Sequence, residues 1–222
     1  MPANSRALSA DQKQRRRDAI LEAALQRFSA SAYEQIIMDD IAGDAGLAKG
    51  TLYLYFHSKE ALFLALYQRE LESWFDELDS HLEHNLGSSS FDNLVRFLGD
   101  SLRRRPAFLR LTAILHTVLE HNLDYPAARG FKTGLKERVL KTGKRIETHL
   151  PFLKPGQGSE LLMQINALVI GFQHMAEPSG VMRQVLDDED MALFRVDLEV
   201  RLQDSLRTLL MGLAYEAKYR RE

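Results

Sequence analysis

The sequence predicts an all-α fold of about nine helices, and three observations favour it. Apolar residues recur at helical spacing over long stretches, as at Leu21, Leu25 and Phe28. Residues that break helices are sparse, since the 222 residues include 13 glycines and 6 prolines. No segment alternates apolar and polar side chains over several residues, as a half-buried strand would. We therefore expect a chain built from helices alone.

The first four helices are expected near Ala10–Ser29, Met38–Ala45, Lys49–Phe56 and Lys59–Leu86. The first carries the apolar stripe just described. The second and third are short and amphipathic, and the turn between them contains Gly46, which accepts a positive φ without a Cβ penalty. Ser58 is placed to cap the fourth helix, and the Gly-Ser stretch at residues 87–90 is expected to be the loop that follows it.

Five further helices are expected near Phe91–Arg104, Ala107–Asn122, Pro126–His149, Ser159–Glu177 and Asp190–Lys218. Two boundaries rest on Pro106 and Pro126, because the residue before a proline disfavours the helical conformation. Prolines and glycines between residues 151 and 158 indicate a connector. The helix after it is apolar nearly all the way round, so it needs partners on more than one side.

Residues 36–60, with the sequence IIMDDIAGDAGLAKGTLYLYFHSKE, carry the functional signal. Two short helices joined by a tight glycine turn are typical of a helix-turn-helix. Lysine neutralises phosphate charge, and hydroxyl groups donate to phosphate oxygens. The outward face of the second helix combines such groups around the bare backbone of Gly50, in Lys49, Thr51, Tyr53 and Tyr55. The pattern predicts a surface for duplex DNA.

The charge distribution favours a local contact with DNA and not a bulk attraction. The formal net charge is −2 at pH 7, so any attraction to nucleic acid must come from a patch. Five basic residues and one acidic residue lie between Met1 and Arg17. We expect Arg15 and Arg16 of this segment to contact phosphates. The alternative is a solvated tail that touches nothing.

The stretch from Gly46 to Leu62, GLAKGTLYLYFHSKEAL, closely resembles the signature of the TetR/AcrR family of transcriptional repressors. The motif covers roughly residues 16–66, and the rest of the chain resembles the family in helical layout only. The resemblance implies a nine-helix homodimer whose three N-terminal helices bind operator DNA. By position, Lys49, Gly50 and Tyr53 align with family residues that approach base edges. The family's phosphate contacts align with Thr51, Tyr55 and Lys59.

The chain also departs from the family pattern in its second helix. Ile37, which cannot cap a helix, stands where the family often has Thr. Ala48 replaces a common Ser, and Ala32 replaces a common Gly after the first helix. Three acidic residues are unusual in a helix beside DNA, and we expect them to face away from it; they are Asp39, Asp40 and Asp44.

The expected domains are a DNA-binding domain at residues 1–60 and an effector-binding and dimerisation domain at residues 61–222. Helices near 159–177 and 190–218 would form the homodimer contact, and a monomeric bundle core is the alternative. The other side of these helices would line a pocket for a small-molecule effector. Apolar and aromatic surfaces with a few polar groups suit such a pocket. The candidates are Trp74, Phe108, His116, Met163, Asn166, Phe172, Gln173 and His174.

Missing residues and motifs exclude other classes of protein. The sequence has no Cys, which excludes disulfide scaffolds, thiolate metal sites and Cys nucleophiles. It lacks H-E-x-x-H, G-x-S-x-G and Glu-x-x-His, so we expect no catalytic residue, cofactor or metal. His81 and His84 share a helix face and could hold a metal, but a surface pair is the simpler interpretation. No apolar run approaches the ~18 residues of a membrane span, and we expect a cytoplasmic protein.

Together, these observations predict a ligand-responsive, dimeric DNA-binding regulator, namely a repressor that a small molecule releases from its operator. The long fourth helix would link the two domains. One alternative is an all-helical small-molecule carrier or enzyme with a vestigial DNA-binding head. Another is a structural, nucleoid-associated protein that binds duplexes without sequence preference. The sequence identifies neither the operator nor the effector.

Overall fold

The computed structural model describes residues 3–85, 91–121 and 123–219, and within these ranges it contains helices and turns but no strand. The described residues form eleven helices, ten α-helices and one π-helical segment, where about nine helices were expected. The all-α prediction is confirmed and the number of helices is corrected. The expected helix ends at Leu86 and Asn122, and the loop at residues 87–90, lie outside the described residues.

The chain forms two compact units, and the first comprises the residues up to Glu70 together with Ile114–Leu123. It contains α1 (Ala3–Ala30), α2 (Met38–Asp44), α3 (Lys49–Tyr55) and the first part of α4 (Lys59–His84). α1 begins before the expected Ala10, since no Gly or Pro interrupts the chain there. The buried apolar side chains of this unit include Ile20, Leu21, Phe28, Ile41, Leu52, Leu62, Phe63 and Leu66.

Aromatic contacts hold the start of α4 to the end of α1 in the first unit. The rings of Phe28 and Phe63 lie 5.5 Å apart between centroids. Tyr33, in a short 3-10 turn after α1, meets the ring of Phe63 edge-on at 5.1 Å. Such pairs contribute about 0.5–1.5 kcal/mol beyond the area they bury. These contacts therefore fix the start of α4 against α1 and the turn that follows it.

The second unit comprises Leu71–Ala113 and the residues from Asp124 onwards. After the rest of α4, its helices are α5 (Phe91–Arg103), α6 (Pro106–Ile114), α7 (Tyr125–His149), α8 (Gln157–Ala176), α9 (Gly180–Asp187) and α10 (Leu198–Tyr219). α10 packs on α5 and α8, and α7 packs on α8.

Two further helices, in the later part of the chain, also differ from the expected ones. At Leu115 the sixth helix changes to a π-helical segment that ends at Leu119, where the N–H of Glu120 donates to the carbonyl oxygen of Leu115 at 3.0 Å. The last helix begins at Leu198 and not at Asp190, because the Asp197 carboxylate accepts from the N–H of Val200 at 3.1 Å and caps the helix there. The residues assigned to its start form a separate 3-10 turn over Glu189–Phe194, which the extended residue Asp188 divides from α9.

α7 and α8 meet through backbone at Gly143 and Gly158. A Cβ on Gly143 would lie 2.6 Å from the amide nitrogen of Ser159, and a Cβ on Gly158 would overlap the carbonyl oxygen of Gly143. Glu147 reinforces the contact, since its Oε1 accepts from the N–H groups of Gly156 and Gly158 at 2.8 and 3.0 Å. The two glycines are therefore required by the close approach of the helices.

Ion pairs join α4 to α7 within the second unit. Arg138 of α7 pairs with Asp76 at 2.7 Å, and its guanidinium lies 5.2 Å from the ring centroid of Phe75. Asp79 is buried and accepts from the hydroxyl of Thr142 at 2.8 Å. Because buried carboxylates are stable only when they are paired and hydrogen-bonded, this network fixes the register of the two helices.

Two of the excluded features can be checked in the described residues. None of their helices is both long and apolar enough to cross a membrane. They contain no group of three or more His, Cys, Asp or Glu side chains placed to hold a metal ion. His81 stacks on Phe97 with 4.0 Å between centroids, whereas the Nδ1 of His84 lies 2.7 Å from the carbonyl oxygen of Ser80. The two histidines thus engage different neighbours.

Candidate nucleic-acid interface

The turn between α2 and α3 has the geometry that its glycine predicts. Gly46 adopts a φ of +66°, in the left-handed region that favours glycine. Its N–H donates to the carbonyl oxygen of Gly43 at 3.0 Å, and the N–H of Leu47 donates to that of Ala42 at 2.9 Å. These two bonds form the Schellman motif that ends a helix. The expected helix-turn-helix geometry is confirmed here.

Helix capping around this turn is uneven. Ile37 and Ala48 stand at the N-caps of α2 and α3, and neither provides a side-chain hydrogen bond. Ser58 caps α4 as expected, since its hydroxyl accepts from the N–H of Ala61 at 3.0 Å. The two uncapped helices are held instead by burial of Ile41 and Leu52, which are fully enclosed.

α3 presents the predicted recognition surface on its exposed side. Lys49, Gly50 and Tyr53 are exposed, while Thr51 and Tyr55 are half-buried. A Cβ at Gly50 would meet nothing within 4 Å, so the glycine leaves the backbone open to an approaching molecule. Leu54 is 84% exposed, and the sequence analysis left it out. An exposed apolar group on such a helix is suited to contact a thymine methyl group.

Lys49 forms an ion pair inside the helix-turn-helix. Its Nζ lies 2.8 Å from the Oδ2 of Asp39, and this carboxylate raises the pKa of Lys49 by accepting its hydrogen bond. Asp40 and Asp44 instead pair with Arg27 of α1. The expectation that all three acidic residues face away from the recognition surface is therefore wrong for Asp39.

Lys59 contacts protein groups within the first unit. Its Nζ donates to the carbonyl oxygen of Tyr33 and lies 4.0 Å from the centroid of the Tyr33 ring. Burial lowers the pKa of Lys59, while the carboxylates of Glu34 and Glu60 oppose that change. A phosphate contact would therefore have to share this ammonium with Tyr33.

The basic residues of α1 differ in their contacts. Arg15 pairs with Asp11 at 2.7 Å, one helical turn earlier. Arg17 lies over the ring of Phe56, 5.4 Å from its centroid, and Arg16 is exposed. An exposed ion pair contributes only ~0–1 kcal/mol, so a phosphate can compete with Asp11 for Arg15. The phosphate contacts of Arg15 and Arg16 stay a prediction.

The structure brings together two of the eight candidate pocket residues. Trp74 and Phe108 are buried in the second unit with their ring centroids 6.2 Å apart, and the Trp74 indole donates to the hydroxyl of Ser101 at 3.1 Å. On α8, Gln173 is buried, Asn166 and Phe172 are half-buried, and Met163 and His174 are exposed. His116 is exposed, pairs with Glu120 at 3.1 Å and belongs to the first unit. The pocket stays a prediction.

A surface groove of about 570 Å³ lies elsewhere in the second unit. Residues 151–155 line one side, and the end of α10 at Ala214, Ala217 and Lys218 lines the other. None of the eight candidate residues belongs to it, so it gives no support to the predicted pocket.

Two histidines that the sequence analysis did not connect provide unpaired polar atoms in the second unit. His149 is 3% exposed, and neither of its ring nitrogens has a hydrogen-bond partner among the described residues. The Nε2 of His81 is likewise buried and unpaired. Burial lowers the pKa of both histidines, and the charge of His149 lowers that of His81 further. Burial therefore favours the neutral form of each ring.

A glycine turn, two short helices and an exposed lysine-tyrosine surface make up a helix-turn-helix, a motif typical of DNA-binding proteins, here joined to a second helical unit. Two family models match the two parts of the chain. The model of bacterial regulatory proteins of the tetR family matches residues 20–66, and that of the tetracyclin repressor-like C-terminal domain matches residues 68–217. The chain belongs to the TetR family of bacterial transcriptional regulators.

Individual relatives agree with this assignment. The regulator RutR of Escherichia coli K12 is 35% identical over 107 residues, which is 48% of each chain. The chain thus spans about half the length of the curated relatives it matches. The fatty acid degradation regulator FadR of Bacillus halodurans has a similar fold, with a TM-score of 0.57, 20% identity and coverage of 88% of this chain and 97% of FadR. The FadR of Bacillus subtilis, solved with stearoyl-CoA, gives a TM-score of 0.52, 19% identity and coverage of 86% and 96%.

Proposed function

We propose that the protein is a homodimeric transcriptional repressor that binds operator DNA through α3 and leaves it when a small molecule binds the second unit. The observation that carries the proposal is the exposed face of α3, where Lys49, Gly50 and Tyr53 lie close together in the chain and are all exposed to solvent. A lysine beside phenol and bare backbone suits a groove lined with phosphates. Membership of a family of regulators supports the same conclusion.

A second copy of the chain supplies the other half of the DNA-binding surface. α8 and α10 expose large apolar side chains that a solitary chain would leave in water, namely Met163, Met175, Met211, Tyr215 and Tyr219. Contiguous exposed apolar surface marks an interaction site. Pairing through these helices would present two α3 helices to one face of the duplex, about 34–36 Å apart.

The effector site is proposed along α4 of the second unit. Trp74 and His81 stand seven residues apart, which places them on the same face of the helix. The aromatic surface of Trp74 and Phe108 suits the apolar body of a ligand. The unpaired ring nitrogens of His81 and His149 suit a polar group on that ligand, because a buried polar atom without a partner is costly.

α4 is proposed to couple the two events. Its residues Lys59–Glu70 belong to the first unit and Leu71–His84 to the second. A ligand bound against the second part would change the positions of the two α3 helices. The distance between them would then no longer match the spacing of the half-sites. A coupling free energy of ~1–3 kcal/mol lowers operator affinity about 5- to 150-fold. No catalytic step is needed for this function, and we propose that the protein is not an enzyme.

Selection of bound duplexes from random DNA tests the proposal. We expect the purified protein to enrich a half-site repeated about one helical turn, or a multiple of it, apart. The Lys49→Ala variant is the matched control and should enrich it less strongly. Stearoyl-CoA, the ligand of the Bacillus subtilis FadR structure, is one probe for release of the selected duplex. Failure of the wild type to bind any duplex at low salt would refute the proposal, and turnover of a bound metabolite would favour a carrier or enzyme.

A further inference from the structure

The ion pair between Lys49 and Asp39 lies on the surface that is proposed to meet DNA. The two side chains are 62% and 49% exposed and their charged atoms are 2.8 Å apart. Asp39 stands in the first turn of α2, and Lys49 begins α3. The pair therefore spans the helix-turn-helix on its solvent side, where Lys49 is otherwise open to a phosphate.

We propose that Asp39 competes with DNA phosphates for Lys49 and thereby lowers the affinity of α3 for duplexes of any sequence. The inference rests on the proposed function, because it assigns a regulatory residue to the same surface. It goes beyond that function because it assigns to an acidic residue a role that weakens DNA binding.

The partners of the neighbouring acidic residues single out Asp39. Asp40 and Asp44 both engage Arg27 of α1, which lies outside the helix-turn-helix. Asp39 alone among the three engages a side chain of α3 in the described structure. The ordinary pKa of a lysine, about 10.4, keeps Lys49 charged beside a phosphate, and the hydrogen bond to Asp39 raises its pKa further while the pair is formed.

A phosphate that binds Lys49 must first displace Asp39. The displaced carboxylate then remains beside a negatively charged backbone, which disfavours the complex further. Loss of an exposed ion pair of this kind changes an equilibrium constant, here that of DNA binding, by about two- to five-fold. This penalty applies to duplexes of any sequence. It limits non-specific binding, which competes with operator binding because non-specific sites vastly outnumber any operator.

The Asp39→Asn variant tests the competition, and Asp40→Asn is its matched control. Both variants remove one negative charge from adjacent positions of α2, but only the first frees Lys49. The measurement is the affinity for a duplex of random sequence, by fluorescence anisotropy, over a range of salt concentrations. We expect Asp39→Asn to bind about two- to five-fold more tightly than Asp40→Asn at low salt. Its slope of log K against log salt should be steeper by up to about 0.9, as for one additional phosphate contact.

The same substitution in a Lys49→Ala background separates competition from general electrostatics. There the advantage of Asp39→Asn over Asp40→Asn should vanish, since no lysine is left to free. Equal affinity and slope for the two single variants would overturn the inference and leave the proposed function standing, and so would an advantage that survives without Lys49. If the wild type and both variants bind no duplex, the inference and the proposed function fail together. Circular dichroism establishes that each variant is folded.

Discussion

Lys59 joins the first turn of α4 to Tyr33 in the 3-10 turn after α1, because its Nζ donates to the carbonyl oxygen of Tyr33 and lies 4.0 Å from the centroid of the Tyr33 ring. A residue expected to contact phosphate thus also stabilises the fold of the first unit. Substitutions at this position should affect both properties.

We expect Lys59→Ala to lower stability by about 1 kcal/mol, because it removes a charge-assisted hydrogen bond and a cation–π contact. It should also weaken DNA binding without changing sequence preference. Lys59→Met, which keeps the aliphatic stem, serves as the control for lost hydrophobic contact. Thermal melting and gel shifts measure the two effects, and unchanged melting of Lys59→Ala would contradict the structural role.

Gly46 and Gly50 should respond to the same substitution with opposite effects on stability. Gly46→Ala forces a Cβ into a positive φ and should cost about 1–2 kcal/mol. Gly50→Ala adds a methyl group that meets no other atom, at a position within α3, and should stabilise the helix by about 0.5–1 kcal/mol. The same methyl group should hinder the approach of DNA. Denaturant unfolding and duplex affinity, measured on both variants, check this. A Gly50→Ala variant that binds DNA as tightly as the wild type would remove Gly50 from the interface.

Substitutions of Lys49 and Tyr55 should differ in their effect on the sequence specificity of DNA binding. If Lys49 reads a base, Lys49→Ala should cost about 1–3 kcal/mol on the preferred site and relax the preference at one position. Tyr55→Phe removes a hydroxyl donor to phosphate and should weaken binding equally on all sequences. Affinities for a panel of single-base variants of the selected site distinguish the two outcomes. Unchanged affinity for both proteins would withdraw these assignments.

His149 should make stability depend on pH. Burial lowers its pKa from 6.5, so the unfolded chain binds more protons than the native one as the pH falls through that value. The stabilisation is complete above about pH 6.5 and is lost on acidification until the native pKa is passed. The melting temperature of the wild type should therefore fall between about pH 7.5 and pH 5.5. His149→Gln should show a smaller fall, whereas the exposed His121→Gln should behave as the wild type does.

The apolar face of α10 should determine the oligomeric state. Met211 is exposed there, and Met211→Glu would place a charge in the proposed contact between two copies. We expect the dimer to weaken by about 2 kcal/mol or more, about 30-fold in its dissociation constant. Light scattering after size exclusion measures the change. Leu140→Glu, on the exposed side of α7, is the control, and dissociation of this variant alone would place the interface elsewhere.

Local signals in the sequence were sufficient for the helix-turn-helix. The positive φ of Gly46 and the cap at Ser58 follow from the chemistry of single residues, and the starts of α2 and α3 agree with the expected ones. The partners of Lys49 and Lys59 were not predictable in the same way. Tyr33 stands 26 positions before Lys59, so the contact exists only once α1 and α4 pack together.

The second unit was harder to predict because its signals are ambiguous. α8 is apolar nearly all the way round, so its sequence pattern does not predict that Leu161 is buried and Met163 exposed. α9 buries no residue, and the sequence analysis predicted no helix at its position. The change to a π-helical segment at Leu115 follows no residue type in particular.

The backbone contact of Gly143 with Gly158 limits how the second unit can change shape. Since neither glycine leaves room for even a methyl group, α7 and α8 have no clearance to slide or rotate against each other without separating. We therefore expect the proposed response to a ligand to move the two helices together and to bend the chain outside this contact.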